Sequence, residues 1–300
     1  MHEMSYAGHL FKYQKITCQE VINYDNDYTN PLFSTGEILI QKRKLFDAHL
    51  HIFDKEFTIV ANQGYLPDEF TCDDYLTHMN DYTLCGGVVV SSSFQQYDQT
   101  YMVNALNKLG PSFVGVTQLP LTACNEELLK LNRAGVRAVR FNFRRGNSEE
   151  LRHLDSMARR IYEIAGWHVE LYIDASNLAE CFQMLVNLPA VSIDHLGLSK
   201  HGFPTLIKLA EHGVRVKATG FGRVDFDART ALSELYAANP KSVMFGTDLP
   251  STRASRPFSH DDYKLVLECL DPEQASNVLY KNAIEFYRPV KKFCDESISD

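Results

Sequence analysis

The chain has 300 residues, 45% of them hydrophobic, which is enough to fill one barrel-sized core or two ordinary ones. Thirty Lys and Arg against 38 Asp and Glu leave a formal net charge of −8, which argues against a nucleic-acid or anionic-membrane surface. The seven cysteines are scattered and never form a CxxC pair, so no disulfide framework or zinc ribbon is indicated. The N-terminus has no basic region followed by an apolar run, and no stretch reaches the ~20 apolar residues of a membrane span, so the expectation is a soluble, cytoplasmic protein.

In chain order, residues 1–44 are polar and aromatic without a sustained period, and read as an N-terminal arm. From Leu45 onward, short β-branched or apolar runs alternate with helical patterns. The predicted strands are Leu45–Leu50, Gly87–Ser91, Phe113–Thr117, Ala138–Asn142, Val169–Ile173, Val191–His195, Val214–Thr219 and Val243–Thr247. Each interval leaves room for one crossover helix. Eight such units predict an α/β fold, a (β/α)₈ TIM barrel over 45–300 with an N-terminal extension. The clearest helix carries Leu151, Leu154, Met157, Ala158, Ile161, Ile164 and Ala165 on one stripe, with Ser148 as its predicted N-cap and Gly166 after its end. Patterns around 263–270 and 275–287 predict closing helices.

Alternate residues of a barrel strand face the axis, and the C-terminal strand ends carry the active site. Asp47, His49 and His51 share a parity on strand one, so two imidazoles project together; on a helix they would splay roughly 200° apart. His195 ends strand six and Asp248 ends strand eight. Neutral imidazoles with a carboxylate suit zinc or manganese, and can equally donate hydrogen bonds and take a proton from water. Arg140 and Asn142 come from strand four, Arg144 and Arg145 from its loop, Lys217 and Arg223 from strand seven and beyond, and Ser91 from the end of strand two. Guanidinium groups gathered at strand ends of an acidic protein predict a small anionic substrate, held through bidentate carboxylate contacts.

Five segments carry a family resemblance: Asp47-Ala48-His49-Leu50-His51, Ile193-Asp194-His195-Leu196-Gly197, Val216 to Arg223, Phe245-Gly246-Thr247-Asp248-Leu249-Pro250 and Leu279-Tyr280-Lys281-Asn282-Ala283. Over about 44 to 287 the chain resembles the amidohydrolase superfamily, in particular the amidohydrolase-2 branch that includes 2-pyrone-4,6-dicarboxylate lactonase and related lactone hydrolases. The resemblance implies catalytic roles for His49, His51, His195 and Asp248, with Asp248 deprotonating the attacking water. It also implies substrate carboxylates held by Arg140, Arg144 or Arg145, and Arg223.

Metal-bearing members add a histidine from strand five. Here the inward parity reads His168, Glu170, Tyr172, Asp174, which puts a histidine at the low end and Tyr172 where a ligand would stand. Two states therefore stay open: one divalent ion (Zn or Mn) on His49, His51 and Asp248, or metal-free catalysis as in the lactonase. The leading expectation is hydrolysis of a carboxylate-bearing lactone, or a related ester or amide bond, in a chain that leaves homo-oligomer formation open. The alternatives are a metal-dependent decarboxylase and a non-catalytic barrel that binds small acids.

Overall fold

The computed structural model describes residues 43–145 and 148–291, with backbone only for 148–150. The expected arm over 1–44 lies outside the described residues, except that Arg43 and Lys44 already belong to the first strand.

Eight strands follow one another around a single parallel sheet: β1 Arg43–Leu50, β2 Tyr82–Val90, β3 Phe113–Thr117, β4 Val136–Phe141, β5 His168–Leu171, β6 Val191–Ile193, β7 Arg215–Ala218 and β8 Val243–Phe245. Crossover helices alternate with them: α1 Cys72–His78, α2 Thr100–Leu109, α3 Asn125–Arg133, α4 Leu154–Ala165, α5 Leu178–Val186, α6 Phe203–Glu211, α7 Ala228–Ala238 and α8 His260–Cys269. After them come α9 Pro272–Ser276, a π-helical turn over Asn277–Lys281 and α10 Asn282–Tyr287. The sheet curls until its first and last strands meet: Asp248 N–H donates to the His49 carbonyl (2.7 Å) and His51 N–H to the Leu249 carbonyl (2.8 Å). This is the predicted (β/α)₈ architecture.

The predicted strands all form, with ends shifted by a few residues. Gly166 closes α4 in the left-handed region (φ 65°) as predicted, because only a residue without Cβ sits there without strain. Ser148 is not the N-cap of α4. A 3-10 turn over Ser148–His153 intervenes, so the α-helix starts at Leu154 with no side-chain cap.

The shared parity expected along β1 also needs correction. Between Asp47 and Leu50 three steps of β1 match two of β2, a bulge that inserts one residue. The inserted residue reverses the pleat. Phe46 and Ala48 join an interior apolar cluster, while Asp47 turns to accept from Tyr75 of α1 and from Thr247. His49 and His51 still share one face, their ring centroids 4.9 Å apart.

Apolar side chains pack in two places. The larger core lies between strands and helices, for instance Val139, Val169, Ile193 and Val216 against Leu128, Ile161, Leu206 and Leu232. The smaller one comes mostly from the first three strands: Phe46, Ala48, Val88, Val90, Val114 and Val116, with Met244 of β8, seated on Tyr287 of α10. Four cysteines among the described residues, Cys72, Cys124, Cys181 and Cys269, are free thiols, whereas Cys85 is disulfide-bonded. A disulfide therefore forms where the scattered spacing indicated no disulfide framework. Among the described residues no helix is long and apolar enough to cross a membrane.

Candidate active site

At the C-terminal mouth of the barrel three imidazoles and a carboxylate converge. His49 Nε2 lies 3.2 Å from His51 Nε2. Asp248 Oδ1 lies 3.9 Å from His49 Nε2, 3.8 Å from His51 Nε2 and 4.0 Å from His195 Nε2. The far side of each ring is tethered. His51 Nδ1 meets the Val90 carbonyl at 2.8 Å, and His195 Nδ1 meets Thr219 Oγ at 2.8 Å. Both His195 (φ 50°) and Asp248 (φ 60°) take left-handed backbone at the points where β6 and β8 end. That conformation is unfavourable for side-chain-bearing residues and is held here by the surrounding contacts. Gly220 sits between the two. A Cβ there would approach Asp248 Oδ2 and His195 Nδ1 to 2.9 Å, so the site needs glycine at this point for closeness as well as for its φ of 58°.

Beneath His49 lies a charged network from β4 to β7. Arg140 donates through Nε (3.0 Å) and Nη2 (2.8 Å) to Asp194 Oδ2, and through Nη1 to the Ser91 carbonyl. Lys217 Nζ lies 2.6 Å from Glu170 Oε2 and 3.2 Å from His49 Nδ1; Tyr287 OH also donates to Glu170 Oε2. All of these charges are buried, and each has an opposite partner, which is the condition under which ions persist in a protein interior.

Burial sets most of the proton affinities. It lowers His49 well below its ordinary value, helped by the Lys217 charge, and brings His51 down to about 3, helped by Arg140. Burial also lowers His195, with Arg223 reinforcing it, so all three rings are neutral. The Asp248 carboxyl is pushed up by burial against the opposing pull of Arg223, whose Nε lies 2.6 Å from Oδ2. Burial and the neighbouring Asp194 raise Glu170 to about 7. For Asp194, burial acts upward but Arg140, His49 and Lys217 together outweigh it and hold the group well below the carboxylate range.

Above this floor opens a cleft of about 360 Å³, part of it open to solvent, whose polar wall includes His51, Arg140, Asn142, Arg145, His195 and Arg223, with Tyr172 beside them. The Tyr172 ring faces His195 edge-on at 5.2 Å and lies under the Arg140 guanidinium at 5.0 Å. The sequence-predicted residues are thus largely brought together, with three exceptions. Arg144 is exposed and does not line the cleft. Lys217 is fully buried below His49. Ser91 is also fully buried, its carbonyl bound by Arg140, because the strand end turns it away from the mouth.

Phe94 and Thr252, neither of them singled out in the sequence, line the cleft together with Arg253. Arg253 donates to the Asn62 carbonyl and stacks over Tyr65 and Phe94, while Arg145 donates to Gln63 Oε1. Glu170 and Asp194 were missed as site-forming acids. The available signal was charge complementarity: inward parity on β5 places Glu170 between the inward cations of β4 and β7.

Among the described residues, two groups of side chains can hold a cation: His49, His195 and Asp248, and separately His49, Glu170 and Asp194. The first fits a metal on its chemistry, since Asp248 Oδ1 is buried without a hydrogen-bond partner and faces three imidazole nitrogens. His51 joins that group through His49, and His195 enlarges the set expected from sequence.

The sequence profile of the amidohydrolase family matches residues 46–288. The chain belongs to that family. Amidohydrolase relatives include a 2-pyrone-4,6-dicarboxylate hydrolase of Comamonas testosteroni, 32% identical over 156 residues, 50% of this chain. The match spans about half, 51%, of that relative's length. A 4-sulfomuconolactone hydrolase of Rhizobium radiobacter is 25% identical over 232 residues, covering 68% of this chain and 75% of the relative. Among solved structures, a probable 2-pyrone-4,6-dicarboxylic acid hydrolase of Acinetobacter baumannii with citric acid bound superposes with a TM-score of 0.71 at 21% identity, covering 81% of this chain and 99% of that one. At that identity the superposition speaks for the fold.

Proposed function

We propose that this amidohydrolase hydrolyses a small lactone carrying carboxylate or similar anionic groups, with Asp248 as general base. The observation that carries this reading is the meeting of Asp248 Oδ1 with three neutral imidazoles at the floor of an arginine-lined cleft. Arg145, Arg223 and Arg253 would hold the substrate's anionic groups, releasing the protein acceptors they now bind, and Tyr172 and Phe94 would flank the ring. The two relatives named for cyclic, anion-bearing substrates support the same chemistry.

In the proposed reaction Asp248 takes one proton from water as the oxygen adds to the ring carbonyl. The His195 Nε2–H, available when the Thr219 hydroxyl donates to Nδ1, stabilises the oxyanion. The carbonyl re-forms as the ring C–O bond breaks, and Asp248 returns its proton to the departing oxygen. Burial suits Asp248 to this task by raising its proton affinity, while the Arg223 charge pulls the other way. A zinc or manganese ion, where bound, would be held by His49, His51, His195 and Asp248 and would polarise the carbonyl and acidify the water.

The test is turnover of a panel of carboxylated and sulfonated lactones by the wild type and by Asp248→Asn. We expect ring opening in the wild type and a loss of about 10³-fold in kcat/KM in the variant, with the fold intact by circular dichroism. Undiminished turnover in the variant removes Asp248 from the role, and no turnover of any lactone by the wild type overturns the reading.

A further inference from the structure

A neutral imidazole carries one N–H and one lone pair, and its partners decide which nitrogen has which. His51 Nδ1 faces the Val90 carbonyl at 2.8 Å. A carbonyl only accepts, so the hydrogen sits on His51 Nδ1 and the lone pair on Nε2. That lone pair points at His49 Nε2, 3.2 Å away, and the contact is a hydrogen bond only if His49 Nε2 carries the hydrogen. His49 Nδ1 is then the acceptor. Facing it at 3.2 Å is Lys217 Nζ, an ammonium with donors only.

Four groups therefore point one way: Lys217 donates to His49, His49 to His51, and His51 to the Val90 carbonyl. The other neighbours of His49 Nδ1 are acidic. Asp194 Oδ1 at 3.4 Å and Glu170 Oε1 at 3.8 Å are both buried, and Asp194 is the one close enough to compete with Lys217 for Nδ1. Lys217 Nζ also lies 2.6 Å from Glu170 Oε2 and 3.8 Å from Asp194 Oδ1. It thus touches every member of the His49, Glu170 and Asp194 group, and a side-chain cation already serves that second cation site.

We infer that Lys217, anchored by Glu170, is a positioning residue that fixes His49 with its hydrogen on Nε2 in the metal-free chain, where the HxH pair stands as a hydrogen-bond relay that metal binding must undo. Metal ligation through His49 Nε2 needs the opposite tautomer, with Nδ1–H given to an acceptor, and Asp194 Oδ1 is the oxygen positioned to take it. The choice between the two states lies with Lys217 and Asp194. The inference concerns where one hydrogen sits and holds whichever bond the enzyme breaks.

The experiment uses the full-length chain stripped of metal. Long-range proton–nitrogen NMR of isotope-labelled histidine should show His49 with a bare Nδ1 and a hydrogen on Nε2, and His51 the reverse. The paired replacement Lys217→Met with Glu170→Gln removes the donor together with its counter-ion, so an altered metal affinity does not simply report the loss of one positive charge. In that variant His49 should move its hydrogen to Nδ1, and zinc affinity, read by competition with a chromophoric chelator, should rise roughly tenfold or more. Lys217→Arg, which keeps a donor, should retain the wild-type spectrum. A wild-type His49 already carrying its hydrogen on Nδ1 overturns the inference even if no variant folds. So does a folded paired variant with an unchanged tautomer or unchanged zinc affinity.

Discussion

The two halves of the barrel interior are built on different principles. From β1 to β3, and again at β8, inward positions are apolar: Phe46, Ala48, Val88, Val90, Val114, Val116 and Met244. From β4 to β7, apart from Ala138, they carry charge: Arg140, Glu170, Asp194 and Lys217, all buried. The apolar half tolerates approximate filling, because dispersion and burial add up over many weak contacts. The ionic half has no such tolerance. Each of its charges is stable only while its partner stays in place, and removing one strands another. The catalytic candidates stand at the seam, with His49 from the apolar side resting on Lys217 and Asp194 from the other.

This contrast can be broken or sharpened. Arg140→Met should cost about 3–5 kcal/mol in urea unfolding, because Asp194 loses both of its donors. A loss below about 1 kcal/mol would mean that the ionic half is as forgiving as the other. Combining Arg140→Met with Asp194→Leu should recover most of that loss while leaving activity poor, separating stability from function. In the apolar half, Val116→Ala should cost roughly 1–3 kcal/mol by the same measurement, with kcat/KM nearly unchanged. A catalytic defect as large as that of Arg140→Met would erase the distinction.

The smallest effect belongs to a charge outside both halves. Asp227 caps α7 by accepting from the Arg229 and Thr230 amides and the Thr230 hydroxyl, and these bonds lower its proton affinity. A carboxylate so lowered stabilises the fold above its unfolded pKa and loses that contribution as pH falls through its folded one. Asp227→Ala should therefore depress the melting temperature slightly at neutral pH, and the difference from wild type should vanish in acid.

The parts of this design legible in the sequence were those that depend on period and strand end. His49, His51, His195 and Asp248 follow from counting residues to the tops of strands one, six and eight, Arg140, Asn142 and Tyr172 from parity on strands four and five, and Arg223 from the loop after strand seven. What stayed hidden depends on pairing. The bulge that turns Asp47 outward is a register event between β1 and β2 that neither strand announces alone. Lys217 read as a substrate cation because parity places it inward, but only its height below His49 decides that it meets Glu170 instead. Ser91 is lost to the cleft for a similar reason: Arg140 reaches its backbone, not its hydroxyl.

The seam between β1 and β8 has a kinetic corollary. Asp47 bonds both the amide and the hydroxyl of Thr247 across 200 residues of chain, and the His49 and His51 backbones bond to Asp248 and Leu249. Loop closure over such a separation is slow and entropically opposed, so these contacts should be among the last to form during folding. Substrate binding would then report completed assembly, and a partly folded chain, however much secondary structure it has gained, would be catalytically silent.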